Sequence, residues 1–159
     1  MRYAGEATLL ALTLSVAACG GRRGVEIDPN REAIGTRWNA SLATSRQLAG
    51  AVQVKGTGWM AGVDDDSAET RAFAQIENAV PGGEHPWHVH LGQCGNDRGI
   101  LGPADAYEPL RVDGNGRAES RAELPLPLPV GGQYFINVHA SRNNLGTIIA
   151  CGNLAPPSR

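Results

Sequence analysis

The stretch His85-Pro86-Trp87-His88-Val89-His90-Leu91-Gly92-Gln93-Cys94 carries three of the chain's four histidines and one of its three cysteines. Successive side chains of an extended strand leave opposite faces, so His88 and His90 share a face while Val89 points into an apolar layer. Two imidazoles two residues apart on one strand face are half of a metal site. A surface strand with scattered histidines is the alternative reading of the same pattern.

Outward from this stretch the chain reads as short strands joined by turns. Upstream, Gln47 to Lys55 alternates Val52 and Val54 against Gln53 and Lys55, and Trp59 to Val63 follows as a hairpin partner. Asp64-Asp65-Asp66-Ser67 is a polar turn. It lacks the glycine and glutamate spacing of a calcium loop. Thr70 to Asn78 is the next strand, and Val80-Pro81-Gly82-Gly83 turns the chain into the histidine strand.

Downstream, Gly95 to Ala106 is irregular and glycine-rich, and Glu108 to Val112 predicts a strand. Asp113-Gly114-Asn115-Gly116 is the strongest hairpin signal, since glycine and asparagine accept the positive φ of tight turns. Arg117 to Leu124 is expected to return antiparallel. Leu124-Pro125-Leu126-Pro127-Leu128-Pro129 lacks ladder donors and predicts an extended connection. Gln133 to Ala140 places Tyr134, Ile136 and Val138 on one face and Phe135, Asn137 and His139 on the other, and Thr147 to Asn153 completes about eight strands. This spacing predicts an all-β sandwich or Greek-key barrel, with His139 as a third candidate ligand. Three imidazoles suit copper or zinc, and periodicity does not choose between them.

A chain of 159 residues fits one domain, and a formal net charge of -2 without a basic cluster beyond Arg22-Arg23 gives no reason to expect nucleic acid or a membrane surface as partner; no nucleic acid is expected. Arg2 followed by the apolar run Ala7 to Ala18 predicts an export signal over residues 1–18, too short to span a bilayer. It ends Val16-Ala17-Ala18-Cys19, which resembles the bacterial lipobox; lipidation of Cys19 is expected, with the lipid anchor the only membrane contact. Residues 19–44 read as a tether, 45–155 as the folded domain and 156–159 as a tail. Localisation is then the bacterial cell envelope.

Setting Cys19 aside leaves Cys94 and Cys151, an even pair in a disulfide-permissive compartment, which predicts a bond between them. Two free thiols acting as soft copper ligands are the competing reading.

Four separated segments, Gly83-Glu84-His85-Pro86-Trp87-His88-Val89-His90, Cys94, Val138-His139-Ala140 and Ile149-Ala150-Cys151-Gly152, are together similar to the copper/zinc superoxide dismutase family. The resemblance covers Gln47 to Leu154. It implies an eight-stranded Greek-key β-sandwich, one copper ion on His88, His90 and His139 as the catalytic centre, and a Cys94–Cys151 disulfide. It implies a structural role for His85, bracing backbone, and packing for Trp87.

The departures from the family are equally specific. No histidine lies between His90 and His139, so the bridging ligand and the zinc histidines are missing; Asp105 stands near the zinc aspartate and Asn143 near a linking aspartate, and no zinc is expected. Ile148 occupies the place of the arginine that guides the anionic substrate. Arg142 or Arg98 is the expected source of a replacement positive field. The resemblance therefore implies a copper-only superoxide dismutase-like lipoprotein with superoxide or copper ions as partners. Alternatives are a copper carrier without turnover, a metal-free relict sandwich used for interaction, and, less well matched, a chordin-type domain. A homodimer is left open.

Overall fold

The dominant pattern is inward alternation of small and branched side chains: Ala72, Ala74 and Ile76 on one strand, Trp87 and Val89 on another, Ile136 and Val138 on a third, each fully buried. A computed structural model describes residues 36–46, 48, 53–63 and 68–157. It contains β1 (Trp38–Ala43), β2 (Lys55–Gly62), β3 (Thr70–Glu77), β4 (Glu84–His85), β5 (Trp87–Gln93), β6 (Asn96–Ile100), β7 (Leu110–Arg111), β8 (Ala118–Leu124), β9 (Tyr134–Ser141) and β10 (Asn144–Leu154), with a 3-10 turn at Ala104–Ala106.

Eight strands form one antiparallel sheet in the order β6-β5-β9-β10-β1-β2-β3-β8, and β4 pairs with β7 separately. The long sheet curls into a half-barrel around the apolar core, an all-β Greek-key arrangement of the kind seen in copper/zinc superoxide dismutase folds. The neighbours β5–β9, β10–β1 and β3–β8 are distant in sequence, so crossover connections build the sheet. Gly58 lets β2 lie close to β3, since an added Cβ would come within 2.8 Å of the Phe73 backbone carbonyl oxygen and would also press on the end of Ile136.

The structure moves the start of the folded domain. Residues 38–43, expected in the tether, form β1 between β2 and β10. Trp38, Ala40 and Leu42 alternate inward against Asn39 and Ser41, a period-two pattern too short to stand out beside the polar residues before it. Trp38 Nε1 donates to Pro129 O at 3.0 Å, which ties β1 to the proline connection.

Other boundaries shift for local reasons. Lys55 to Gly62 is one continuous strand rather than two halves of a hairpin, paired with β1 and β3. The irregular stretch after Cys94 contains β6, paired antiparallel with β5. The Asp113 turn forms, with Asp113 N donating to Arg117 O at 2.8 Å and the Asp113 carboxylate accepting from Asn115 N and Arg117 N. The ladder expected beyond it does not, because β7 pairs with β4 and β8 with β3. Pro109, without an N–H, shortens β7 to two residues. The export signal, Cys19, residues 20–35 and the Asp64–Ser67 turn lie outside the described residues, as does most of the expected Gln47–Lys55 strand. No described helix is long and apolar enough to cross a membrane.

Candidate metal centre

Adjacent strands β5 and β9 bring the histidines together. In their register His88 lies opposite Asn137 and His90 opposite Phe135, so His88, His90, Phe135, Asn137 and His139 occupy one face. The opposite side chains, Trp87, Val89, Ile136 and Val138, fill the core. The three imidazoles are themselves buried, with 8%, 3% and 5% exposure at His88, His90 and His139. Each offers a ring nitrogen, and the three ligand atoms lie within 4.8 Å of one another.

Hydrogen bonds on the far side of two rings determine which nitrogen is offered. His139 Nδ1 donates to Leu145 O at 2.6 Å, so Nε2 is the acceptor nitrogen and is turned toward the other two rings. That carbonyl is delivered by an irregular register in β10 between Asn144 and Ile148, where extra residues bow the strand toward β9. His90 Nδ1 donates to Asp97 Oδ1 at 3.0 Å, leaving Nε2 aimed inward. His90 Nε2 is buried and without a hydrogen-bond partner among the described residues. His88 Nδ1 faces His139 Nε2 at 3.2 Å.

These positions pass a simple test of fit. Two nitrogens each about 2.0–2.1 Å from a common ion at a near-tetrahedral angle lie roughly 3.3 Å apart. The His88–His139 separation is already of that size, and the orphaned His90 nitrogen supplies the third donor. A buried imidazole acceptor left without a partner is costly unless a cation or water occupies the space it faces.

Electrostatics favour the neutral ring at His88 and at His139. Burial, reinforced by repulsion from His139 and His90, pushes His88 down to about 4, and burial likewise pushes His139 below the usual imidazole value. Burial raises the Asp97 carboxyl, but the Gly99 N–H and the His90 ring outweigh it and hold the carboxyl below the usual range. Rings braced by a carboxylate and a carbonyl offer an all-nitrogen donor set that suits a divalent or monovalent transition metal.

A scan against protein-family models found no match, and no curated protein matches the chain.

The remaining sequence candidates fall into place around the triad. His85 Nδ1 donates to the carbonyls of His139 and Ala140 at 3.2 and 3.0 Å, gripping the β9 backbone beside a ligand while staying out of the cluster. Trp87 is fully buried and donates Nε1 to Glu108 O at 2.8 Å. Tyr107 packs edge-on against both Trp87 and His88, each at 5.2 Å between ring centroids. Its hydroxyl donates to Leu101 O at 2.6 Å, and burial pushes the phenol up, so it wedges the site as a neutral group. Cys94 and Cys151 form a disulfide, which removes both sulfurs from consideration as copper ligands.

Two cavities reach the triad from different sides. One of about 400 Å³ is lined by His88 with Asp105, Glu108 and Arg142; the other, of about 730 Å³, is lined by His139 with Asp97, Ile148, Thr147 and Arg46. Arg142 lies in the first and is paired with Glu84 at 3.0 Å, and exposed Arg98 on β6 lines neither. Asn143 sits exposed in the turn between β9 and β10.

Asp97 and Leu145, which brace two of the rings, are not foreseen in the sequence. The signal for Asp97 is present: Gln93 pairs with Asn96 across Cys94-Gly95, and Gly95 takes the positive φ of a tight turn, so a hairpin returns residue 97 beside the histidine strand.

Proposed function

We propose that the chain is a copper-binding, superoxide dismutase-like protein of the bacterial cell envelope, anchored through Cys19, with one copper ion held by His88 Nδ1, His90 Nε2 and His139 Nε2. The observation that carries this reading is the convergence of three buried imidazoles, one with an acceptor nitrogen that nothing in the described protein satisfies. Copper rather than zinc follows from the resemblance of the four sequence segments, in which these histidines occupy the copper positions. Bound copper supplies one-electron exchange between its cupric and cuprous states.

The protein's own contribution is to fix the donors and shape access to them. Asp97 and Leu145 O hold two rings in the tautomer that presents Nε2, and His85 holds the backbone at His139. Proton delivery falls to water in the flanking cavities, because His85 lies outside the cluster with Nδ1 on the β9 carbonyls and the other three histidines are the donors. Superoxide turnover at such a site is slower than in a site with a dedicated proton relay. That same lack favours the second reading, a protein that holds or passes on copper without useful turnover.

Loading the full chain with cupric ion separates these. The proposal expects one copper per chain with a nitrogen-coordinated cupric spectrum, loss of binding in His88→Ala and His139→Ala, and accelerated superoxide decay in the wild type alone. Stoichiometric copper without accelerated decay establishes the carrier. Equal copper content in wild type and both variants overturns both copper readings.

A further inference from the structure

Each imidazole of the triad needs a group other than the metal to fix its ring, because the torsion that joins an imidazole to its methylene is broad and two-fold rather than locked. His90 has the Asp97 carboxylate, and His139 has the Leu145 carbonyl. His88 has neither: its hydrogen bond among the described residues is to His139, itself one of the three. The aromatic ring that meets His88 from outside the triad is Tyr107, edge-on at 5.2 Å between centroids and 75° between planes.

Tyr107 is held from several directions. Its hydroxyl donates to Leu101 O at 2.6 Å, and Leu101 N donates at 2.9 Å to the carbonyl of Val89, the residue between the two histidines of β5. The Tyr107 ring also meets Trp87 at 5.2 Å and 89°. Trp87 Nε1 and Ser120 Oγ both donate to the carbonyl of the next residue, Glu108, at 2.8 and 2.7 Å. The phenol ring is thereby fixed relative to the strand that carries His88, whatever the orientation of His88 itself.

We propose that Tyr107 is the positioning residue of His88: its clamped ring replaces the hydrogen bond that the other two imidazoles have, and keeps Nδ1 rather than Nε2 turned toward His139 and the space between the three rings. The inference rests on the metal-centre reading above. His88 and Tyr107 both line the cavity of about 400 Å³, so on this side the imidazole faces open space, and the phenol edge is what limits its rotation. Edge-to-face packing is directional, so an aliphatic side chain at the same place restrains the ring less.

The test uses the cupric full chain, with copper content and unfolding midpoint measured for every variant. Tyr107→Leu is expected to weaken copper binding about tenfold in chelator competition, the size of loss that follows removal of a group orienting a ligand, and to replace one cupric paramagnetic resonance spectrum by a superposition of two. Tyr107→Phe keeps the ring and with it the single spectrum. Met60→Ala, which opens a cavity in the fully buried core, lowers stability while leaving copper affinity and spectrum as in the wild type. Tyr107→Met, which fills space with a flexible chain, carries the comparison if Tyr107→Leu does not fold. Wild-type affinity and a single wild-type spectrum in the Leu or Met variant overturn the role of Tyr107. In the metal-free wild-type chain the nitrogen-15 signals of the His88 ring are expected in one set, with ring-proton contacts to Tyr107, and two sets in exchange overturn it equally. Wild-type protein that holds no copper overturns the metal-centre reading instead, and the ring signals of the metal-free chain still decide whether Tyr107 fixes His88.

Discussion

His90 Nδ1 lies 3.0 Å from Asp97 Oδ1, a carboxylate on the neighbouring strand bonded to the far side of a buried imidazole. A carboxylate in this position fixes the tautomer, orients the ring and increases the basicity of the nitrogen offered to a metal. The carboxylate stays ionised because Gly99 N–H and the ring both favour the charged form over the opposing effect of burial. Asp97→Asn keeps the shape but removes the charge. Copper affinity, measured by chelator competition, is expected to fall about tenfold or more, with stoichiometry preserved at saturating metal.

The hairpin that carries Asp97 depends on Gly92. Its φ is +108°, and a Cβ there would approach Asn96 O to 2.2 Å. Gly92→Ala is therefore strained in backbone as well as in space. Its expected cost is about 2 kcal/mol or more in denaturant midpoint analysis, together with weakened copper binding as Asp97 is displaced from His90.

Cys94 on the β5–β6 turn is bonded to Cys151 on β10, with β9 lying between those strands in the sheet. The closed loop, 57 residues in sequence separation, corresponds to about 4 kcal/mol in the chain-entropy account. Cys94→Ser/Cys151→Ser should lose about that much stability in chemical unfolding. It should retain the three-imidazole spectrum after copper loading, because neither sulfur is a ligand.

His85→Ala tests bracing against ligation. The variant loses the shared bond to the His139 and Ala140 carbonyls, and a loss of about 1–2 kcal/mol in thermal or urea unfolding is expected. Copper stoichiometry stays at one per chain. A fall in stoichiometry at saturating metal would place His85 among the ligands.

Acid sensitivity of the metal-free protein follows from the direction of the histidine shifts. Burial pushes His88 down to about 4 in the folded protein from the usual imidazole value of about 6.5, and His139 is lowered in the same sense. Between these values the unfolded chain binds more protons, so stability is complete above about 6.5 and declines as pH falls toward about 4. Thermal unfolding of the apoprotein across this window is expected to show a steadily falling midpoint. His88→Gln should flatten the profile.

How far the sequence reveals this architecture depends on the reach of each signal. His88, His90 and His139 are legible because strand periodicity assigns them to faces without knowledge of the tertiary fold, and the cysteine parity is equally local. The inward alternation of Trp38, Ala40 and Leu42 is also present, but three apolar residues beside a polar segment give too short a run to separate strand from tether. Asp97 and Leu145 are harder because their positions follow from register irregularities in β5–β6 and β9–β10. A bulge moves a side chain or carbonyl by one residue's worth of strand, and hydrophobic patterning does not record that displacement.

The carboxylate that steadies His90 is carried by β6, a five-residue strand at the open edge of the sheet, with partners on one side only. Edge hairpins are among the first elements to open in local fluctuations that leave the rest of a domain intact. Each opening would release His90 from its brace while His88 and His139 stay seated on the interior strands β5 and β9. The residence time of an ion held by these rings would then depend on how often one short hairpin frays, with the disulfide at its turn acting as the clasp that limits the excursion.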